Sequence, residues 1–268
     1  MKNARLNFFE TMPHENIMKE YAQTLEGSKL NINAAGCYGL VRSKGRIGIE
    51  LELINGISVE DEMANGTASL KFFGIKMAEE LKLIHSRSAN SNIYPEAKNF
   101  YLDCAEKCVS DKWLTADEGV KIKKFIEALP VGKSLIYGDY HPMNVLWENN
   151  KIRLIDIADA LCGHQIYDLS VAALYMHFFP MCPESPMVFT PEAASRRVAC
   201  WAQLVKTYFE LKAKAEDNAR AERINEILDV CSMLKLTLAP YSLSNLSQRG
   251  NELCVALGKK AFMPVIEK

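Results

Sequence analysis

The segment from Tyr137 to Ser170 constrains this chain most, because it encodes a β-hairpin with polar residues at both ends. The runs VLWE and KIRLID flank the dipeptide Asn149–Asn150, which suits a two-residue hairpin turn. Asn144 directly precedes the first run, and Asp156 closes the second. Because a hairpin brings its two ends together, the sequence predicts that Asn144 and Asp156 are neighbours in space.

Asp139 adds a second carboxylate five residues before Asn144. Carboxylate and amide oxygens are hard ligands that suit Mg²⁺ bound to a triphosphate. Phosphoryl transfer needs a carboxylate that orients the attacking hydroxyl, and it needs oxygens that hold the metal ions on the phosphates. A D-x-x-x-x-N spacing followed by an Asp at a hairpin end is typical of kinases. We therefore predict a phosphotransferase that uses ATP and Mg²⁺.

Three blocks in this segment resemble the aminoglycoside phosphotransferase and choline kinase superfamily. The family pattern reads roughly H-G-D-x-H-P-x-N-(I/V)-L, then I-D-x-x-D-A, then G-x-x-x-x-D-L. The chain has YGDYHPMNVL, IDIADA and GHQIYDL in the same order. The resemblance implies that Asp139 is the catalytic base and that Asn144 and Asp156 are metal ligands. It also implies supporting, non-reacting roles for His141, Asp159 and Asp168.

The resemblance extends more weakly toward the N-terminus. The run IGIELELI, from Ile47 to Ile54, alternates apolar and acidic residues as a strand does. It is similar to the hinge strand whose backbone holds adenine in these kinases, which implies nucleotide contacts at Glu52, Leu53 and Ile54. The resemblance makes Glu20 the best candidate for the helix glutamate that pairs with a lysine in these kinases, and a solvated helix face is the alternative interpretation of Glu20. Leu83–Ile84–His85 resembles the end of the first long helix of the large lobe.

The order of elements predicts an α+β, two-lobed protein-kinase-like fold with a reduced small lobe and a mainly helical large lobe. We expect residues 1–54 to form the reduced N-terminal lobe ending at the hinge, and residues 55–66 to form a hinge or linker. Residues 67–268 would form the C-terminal catalytic and substrate-binding lobe. Spacings of three and four from Leu70 to Ile84 predict one long helix there. Further long helices are expected at residues 193–213 and 219–238.

Three departures from the family pattern stand out. Tyr137 occupies a position where the family usually has His. No G-x-G-x-x-G motif occurs, so the roof over the phosphates is short or missing. The lysine of the small lobe would fall near Ala4 to Phe9, a stretch that has Arg5 and no lysine. Two alternatives therefore stand beside the enzyme: a pseudokinase that acts as a nucleotide-binding or interaction module, and a small atypical protein kinase.

The composition and charge of the chain limit the classes of partner that we expect it to bind. The net charge of −1 gives no global reason to expect nucleic acid. No stretch is apolar enough for a signal peptide or a membrane span, and the eight cysteines follow no zinc-binding spacing. These features favour a cytoplasmic protein that does not bind membranes. The expected partner is a small-molecule hydroxyl acceptor, such as an aminoglycoside, a choline-like amine or a sugar. The oligomeric state is left open.

Overall fold

The small lobe is built around a three-stranded antiparallel sheet. The computed structural model describes residues 4–9, 14–66, 68–187, 189–243 and 246–267. In this sheet, β1 (Ala4–Phe9) and β2 (Cys37–Ser43) each pair with β3 (Arg46–Glu52). Helix α1 (His14–Gly27) packs against β2 and β3. The strand predicted to reach Ile54 ends at Glu52, where the backbone N–H of Glu52 donates to the carbonyl of Gly36 at 2.7 Å.

The stretch predicted as a hinge or linker contains secondary structure of its own. Strand β4 (Ile57–Ser58) is followed directly by α2 (Val59–Asn65). The Ser58 side chain caps α2 by accepting from the N–H of Asp61. β4 pairs with β6 (Val145–Glu148), so this stretch is docked on the hairpin of the large lobe.

Helices make up most of the large lobe. The predicted helix from Leu70 is confirmed, and its apolar face is buried in the main core. That helix packs against the helix that begins at Pro191, and the long helix that begins at Ala215 packs mainly against the helices that begin at Ile166 and Gln248. The helices are α3 (Leu70–His85), α4 (Ala97–Ser110), α5 (Ala116–Ala128), α6 (Ile166–Ala173), which continues as a π-helix (Leu174–Phe178) and α7 (Phe179–Met181), then α8 (Pro191–Tyr208), α9 (Ala215–Thr237), α10 (Ala239–Ser242) and α11 (Gln248–Ile266).

Two small sheets bring the polar segment to the cleft. β5 (Ser134–Ile136) pairs with β8 (Leu161–Gly163), and β6 pairs with β7 (Lys151–Leu154). Asn149 and Asn150 have φ angles of 50° and 63°, as the turn of a tight hairpin requires. The predicted hairpin is therefore confirmed. None of the helices in the described ranges combines the length and apolar character needed to span a membrane.

Candidate active site

The loop that carries Asp139 follows β5 and is held by one buried carboxylate. Asp168, in the first turn of α6, has no solvent exposure. Its two oxygens accept from the backbone N–H groups of Tyr137 and Gly138, each at 2.7 Å. His85, the last residue of α3, contacts the same carboxylate through Nε2 at 3.0 Å and the Tyr208 hydroxyl through Nδ1 at 2.7 Å. Asp168 thus joins this loop to α3.

Gly138 presses this loop against the one that carries Asp156 and Asp159. Its φ of 90° lies in a region that only glycine adopts freely. A Cβ at this position would overlap the carbonyl oxygen of Asp159. Any larger residue would therefore separate the two loops that supply the candidate catalytic and metal-binding side chains.

Asp139 is held in a polar cluster, with 22% of its side chain exposed. Asn144 Nδ2 donates to Oδ2 of Asp139 at 2.9 Å, and His141 Nε2 lies 3.3 Å from the same oxygen. Burial alone would raise the pKa of Asp139, but the His141 hydrogen bond and the positive charge of Lys235 bring it below its usual range. The carboxylate is therefore ionised at neutral pH.

The hairpin places Asn144 beside the segment that leads to Asp156. The N–H of Ile155 donates to the carbonyl of Asn144 at 3.3 Å, which closes the two ends together. The hydroxyl of Tyr137 donates to the carbonyl of Ile155, immediately before Asp156. Tyr137, which replaces the usual His of the family pattern, thus braces this segment through a hydrogen bond of its own. Asp156 itself has a φ of 59° and an exposed side chain.

Helix α1 closes the site from the small-lobe side. Gln23 Nε2 donates to the carbonyl of Ala160 at 2.9 Å, which fixes the helix against the loop after Asp156. Burial, together with the negative charges of Asp156 and Asp159, raises the pKa of Glu20 to about 7. The pKa of Asp159 is also raised, first by burial and also by the charges of Asp139 and Asp156, although Lys235 opposes the rise. Glu20 therefore faces an acidic cluster.

A cavity of about 310 Å³ lies between the two lobes, a volume typical of a small-molecule site. Glu52 lines it, but its carboxylate is already engaged by Arg153 at 2.6 Å and by the N–H of Gly36 at 2.9 Å. The hydrogen bond from Arg153 lowers the pKa of Glu52 despite partial burial. The predicted site residues that line this cavity are Glu20, Glu52, Leu53, Ile54, Asn144 and Asp156.

The oxygen atoms that the site offers fit a hard divalent cation that takes most of its other ligands from phosphates and water. The NH₂ group of Asn144 faces two acceptors, the backbone carbonyl and Oδ2 of Asp139. The amide oxygen is therefore turned away from Asp139 and available as a ligand. Across the described ranges, no three His, Cys, Asp or Glu side chains are arranged to hold a metal ion by themselves. Asn144 and Asp156 offer oxygen ligands, the type that Mg²⁺ takes from proteins.

Three residues beside the site were not predicted from the sequence. Arg153 ties the end of β3 to the hairpin by pairing with Glu52 and with Glu148, at 2.6 and 3.1 Å. Lys235 of α9 donates to the carbonyl of Gly138 at 3.0 Å. Tyr175, in the π-helix, packs its ring 4.4 Å from that of His141. A lysine within the apolar run MLKLT was the one available signal.

Known protein families and solved structures show which proteins this chain resembles. The sequence profile of the phosphotransferase enzyme family, APH, matches residues 6–197. No curated protein sequence matches the chain. Among solved structures, the chain is similar to the streptomycin–ATP–APH(2'')-IIa ternary complex, with a TM-score of 0.55 and 14% identity over 98% of this chain and 93% of that one.

Two further structures are similar over most of their length. Amicoumacin kinase hAmiN, in complex with AMP-PNP, Ca²⁺ and Ami, gives a TM-score of 0.52 at 13% identity, covering 96% of this chain and 80% of that one. A choline/ethanolamine kinase family protein from Mesorhizobium loti gives 0.53 at 13% identity, covering 96% and 82%. At these identities the similarity concerns the fold, and it confirms the predicted kinase-like architecture.

Proposed function

Because the chain belongs to the phosphotransferase enzyme family, we propose that it transfers a phosphoryl group from ATP to a hydroxyl of a small molecule. The observation that carries this proposal is the position of the Asp139 carboxylate, which accepts a hydrogen bond from Asn144 Nδ2 at 2.9 Å. A fixed, ionised carboxylate orients a hydroxyl and accepts its proton as the phosphoryl group is transferred. The acceptor classes that we propose are an aminoglycoside, a choline-like amine or a sugar.

The nucleotide would lie in the 310 Å³ cavity, with its base at Leu53 and Ile54 and its phosphates toward Asn144 and Asp156. Asn144 and Asp156 would hold Mg²⁺, which neutralises charge on the phosphates when it is bound. His141, Asp159 and Asp168 would act as supporting residues, with Asp168 fixing the loop backbone. The solved complexes that contain ATP or AMP-PNP have this fold and support nucleotide use.

We also propose the lobe boundaries expected from the sequence, with residues 55–66 joining the two lobes. We propose a cytoplasmic location as well, because the proposed reaction needs ATP, and the eight cysteines, all of which are free thiols, support it.

A nucleotide-binding module without turnover is the second candidate, and the surroundings of Glu20 favour it. The groups that act most strongly on Glu20, after burial, are the carboxylates of Asp156 and Asp159. In an active kinase the corresponding glutamate pairs with a lysine that contacts the phosphates. A site dominated by carboxylates at this point gives the triphosphate less positive charge.

A panel of acceptors assayed for ATP consumption tests the proposal. Aminoglycosides, choline-like amines, sugars and a generic protein substrate should be incubated with the protein and Mg²⁺-ATP. We expect one small-molecule class to gain a phosphoryl group, detected by mass spectrometry, and the Asp139→Asn variant to lose this activity. Nucleotide binding without transfer to any acceptor would favour the module. Transfer only to the protein substrate would favour an atypical protein kinase.

A further inference from the structure

Lys235 is a buried cation that the family motif does not include. It lies in the last turn of α9, between the buried residues Leu234 and Leu236, and only 6% of its surface is exposed. Lysine is almost never this buried unless it is paired, because removing an ammonium group from water costs several kcal/mol. A lysine in the last turn of a helix can usually extend its long side chain to solvent. This one points inward, which calls for an explanation.

The ammonium group of Lys235 reaches the peptide that immediately precedes Asp139. Its Nζ donates to the carbonyl of Gly138 at 3.0 Å. The N–H of the same residue donates to Asp168 at 2.7 Å. Both backbone polar groups of Gly138 are therefore held by buried charged side chains, from α9 on one side and α6 on the other. These two hydrogen bonds fix the backbone next to Asp139 and therefore the position of its Cα atom.

The charge of Lys235 also acts on the carboxylates of the site. It opposes the rise in pKa that burial causes at both Asp139 and Asp159. Next to it lies a cavity of about 80 Å³, which Asp159 and Tyr167 also line. The hydroxyl of Tyr167 is buried without a hydrogen-bond partner in the described part of the chain. This polar cavity has room for water molecules that solvate the remaining ammonium donors.

We propose that Lys235 is a positioning residue for phosphoryl transfer, which fixes the Gly138–Asp139 peptide and places one positive charge among the carboxylates of the site. The inference rests on the proposed function. The contrasting view is that Lys235 only fills space in the core. A space-filling role would be served equally well by methionine, which has a similar length and no charge.

The test compares Lys235→Met and Lys235→Ala with the wild-type protein and with the matched control Lys206→Met, which removes an exposed lysine from α8. A lost hydrogen bond from a charged donor corresponds to a kcat about 10- to 100-fold lower in Lys235→Met. We expect the KM for ATP to stay within about threefold, because the ammonium contacts the loop and not the nucleotide cavity. Lys206→Met should retain wild-type kcat.

Chemical rescue separates charge from packing. Adding ethylammonium to Lys235→Ala should restore kcat by about tenfold, whereas the neutral ethanol should not, because only ethylammonium supplies a positively charged donor. If Lys235→Met folds and keeps kcat within about twofold of wild type, the inference is wrong. If Lys235→Ala is folded but is rescued equally by ethanol and ethylammonium, the positive charge of Lys235 is not required and the inference is wrong. A wild-type protein without turnover on any acceptor would instead contradict the proposed function.

Discussion

The amide of Asn144 is oriented by Asp139: its Nδ2 lies 2.9 Å from Oδ2 and 3.1 Å from the backbone carbonyl of that residue. Both acceptors lie on the same side, so the amide oxygen is directed away from Asp139. One side chain can therefore hold the Asp139 carboxylate and offer an oxygen to a cation. The amide nitrogen performs the first task and the amide oxygen performs the second. Substitutions that disturb one task can therefore be distinguished from those that disturb the other.

Asp156→Asn should weaken the Mg²⁺-dependent part of nucleotide binding. Ligand at about 100 times its Kd stabilises a protein by about 2.7 kcal/mol, which thermal unfolding detects as a higher Tm. We expect Mg²⁺-ATP to raise the Tm of wild type more than ATP with a chelator does, and Asp156→Asn to lose most of that difference. The exposed Asp103→Asn on α4 is the matched control and should behave as wild type. Equal Mg²⁺ effects in both variants would contradict the assigned role.

Glu20→Gln should stabilise the ligand-free protein in a pH-dependent way. The pKa of Glu20 rises from 4.5 to about 7 on folding, because of burial and the charges of Asp156 and Asp159. Between these values the folded state retains a proton that the unfolded state has lost, so the contribution of Glu20 to the free energy of unfolding falls as pH rises. We expect the free energy of unfolding of Glu20→Gln to exceed that of wild type by about 1 kcal/mol at about pH 8, a value that allows for solvent around a half-buried carboxyl. At about pH 4 the two free energies should be equal.

Urea unfolding across this pH range measures the effect. Glu15→Gln, an exposed substitution in the first turn of the same helix, is the control for removing a charge from α1. A constant difference between Glu20→Gln and wild type at all pH values would show that Glu20 titrates normally and does not face the acidic cluster.

Tyr137→Phe should cost stability and also disturb the metal side of the site. The substitution leaves the carbonyl of Ile155 without its donor, at a cost of about 1–2 kcal/mol. Tyr140→Phe is a matched control, because this equally buried tyrosine donates to the carbonyl of Met77 at 2.8 Å, in α3. We expect both variants to lose stability in urea, but only Tyr137→Phe to lose part of the Mg²⁺-ATP effect on Tm. The same loss in Tyr140→Phe would argue against a specific brace.

The sequence predicted the parts of the fold that depend on local patterns. The hairpin between Asn144 and Asp156 was predictable because its turn and its alternation lie within a short stretch. The helix expected at 193–213 ends at Tyr208, where the chain turns at Glu210 with a φ of 57° and no glycine signals the end. The helix expected from residue 219 begins at Ala215.

Contacts between distant residues could not be predicted in this way. Lys235 contacts Gly138 across 97 positions, and Arg153 contacts Glu52 across 101. Nothing in the local sequence of either cation specifies its partner, because the contact exists only after α9 and the hairpin have packed. The family motif identified Asp139 and its loop, but it did not contain the positive charges around them.

Single-turnover transfer from ATP to the responsive acceptor, measured for wild type and Asp139→Asn, tests the central claim most directly. The two side chains are almost equal in size, so packing around Asn144 and His141 should be kept. If Asp139 orients the hydroxyl and accepts its proton, the rate should fall about 10²- to 10⁴-fold. The Kd for Mg²⁺-ATP should change by less than about threefold. A transfer rate within about twofold of wild type would contradict a phosphotransferase centred on Asp139.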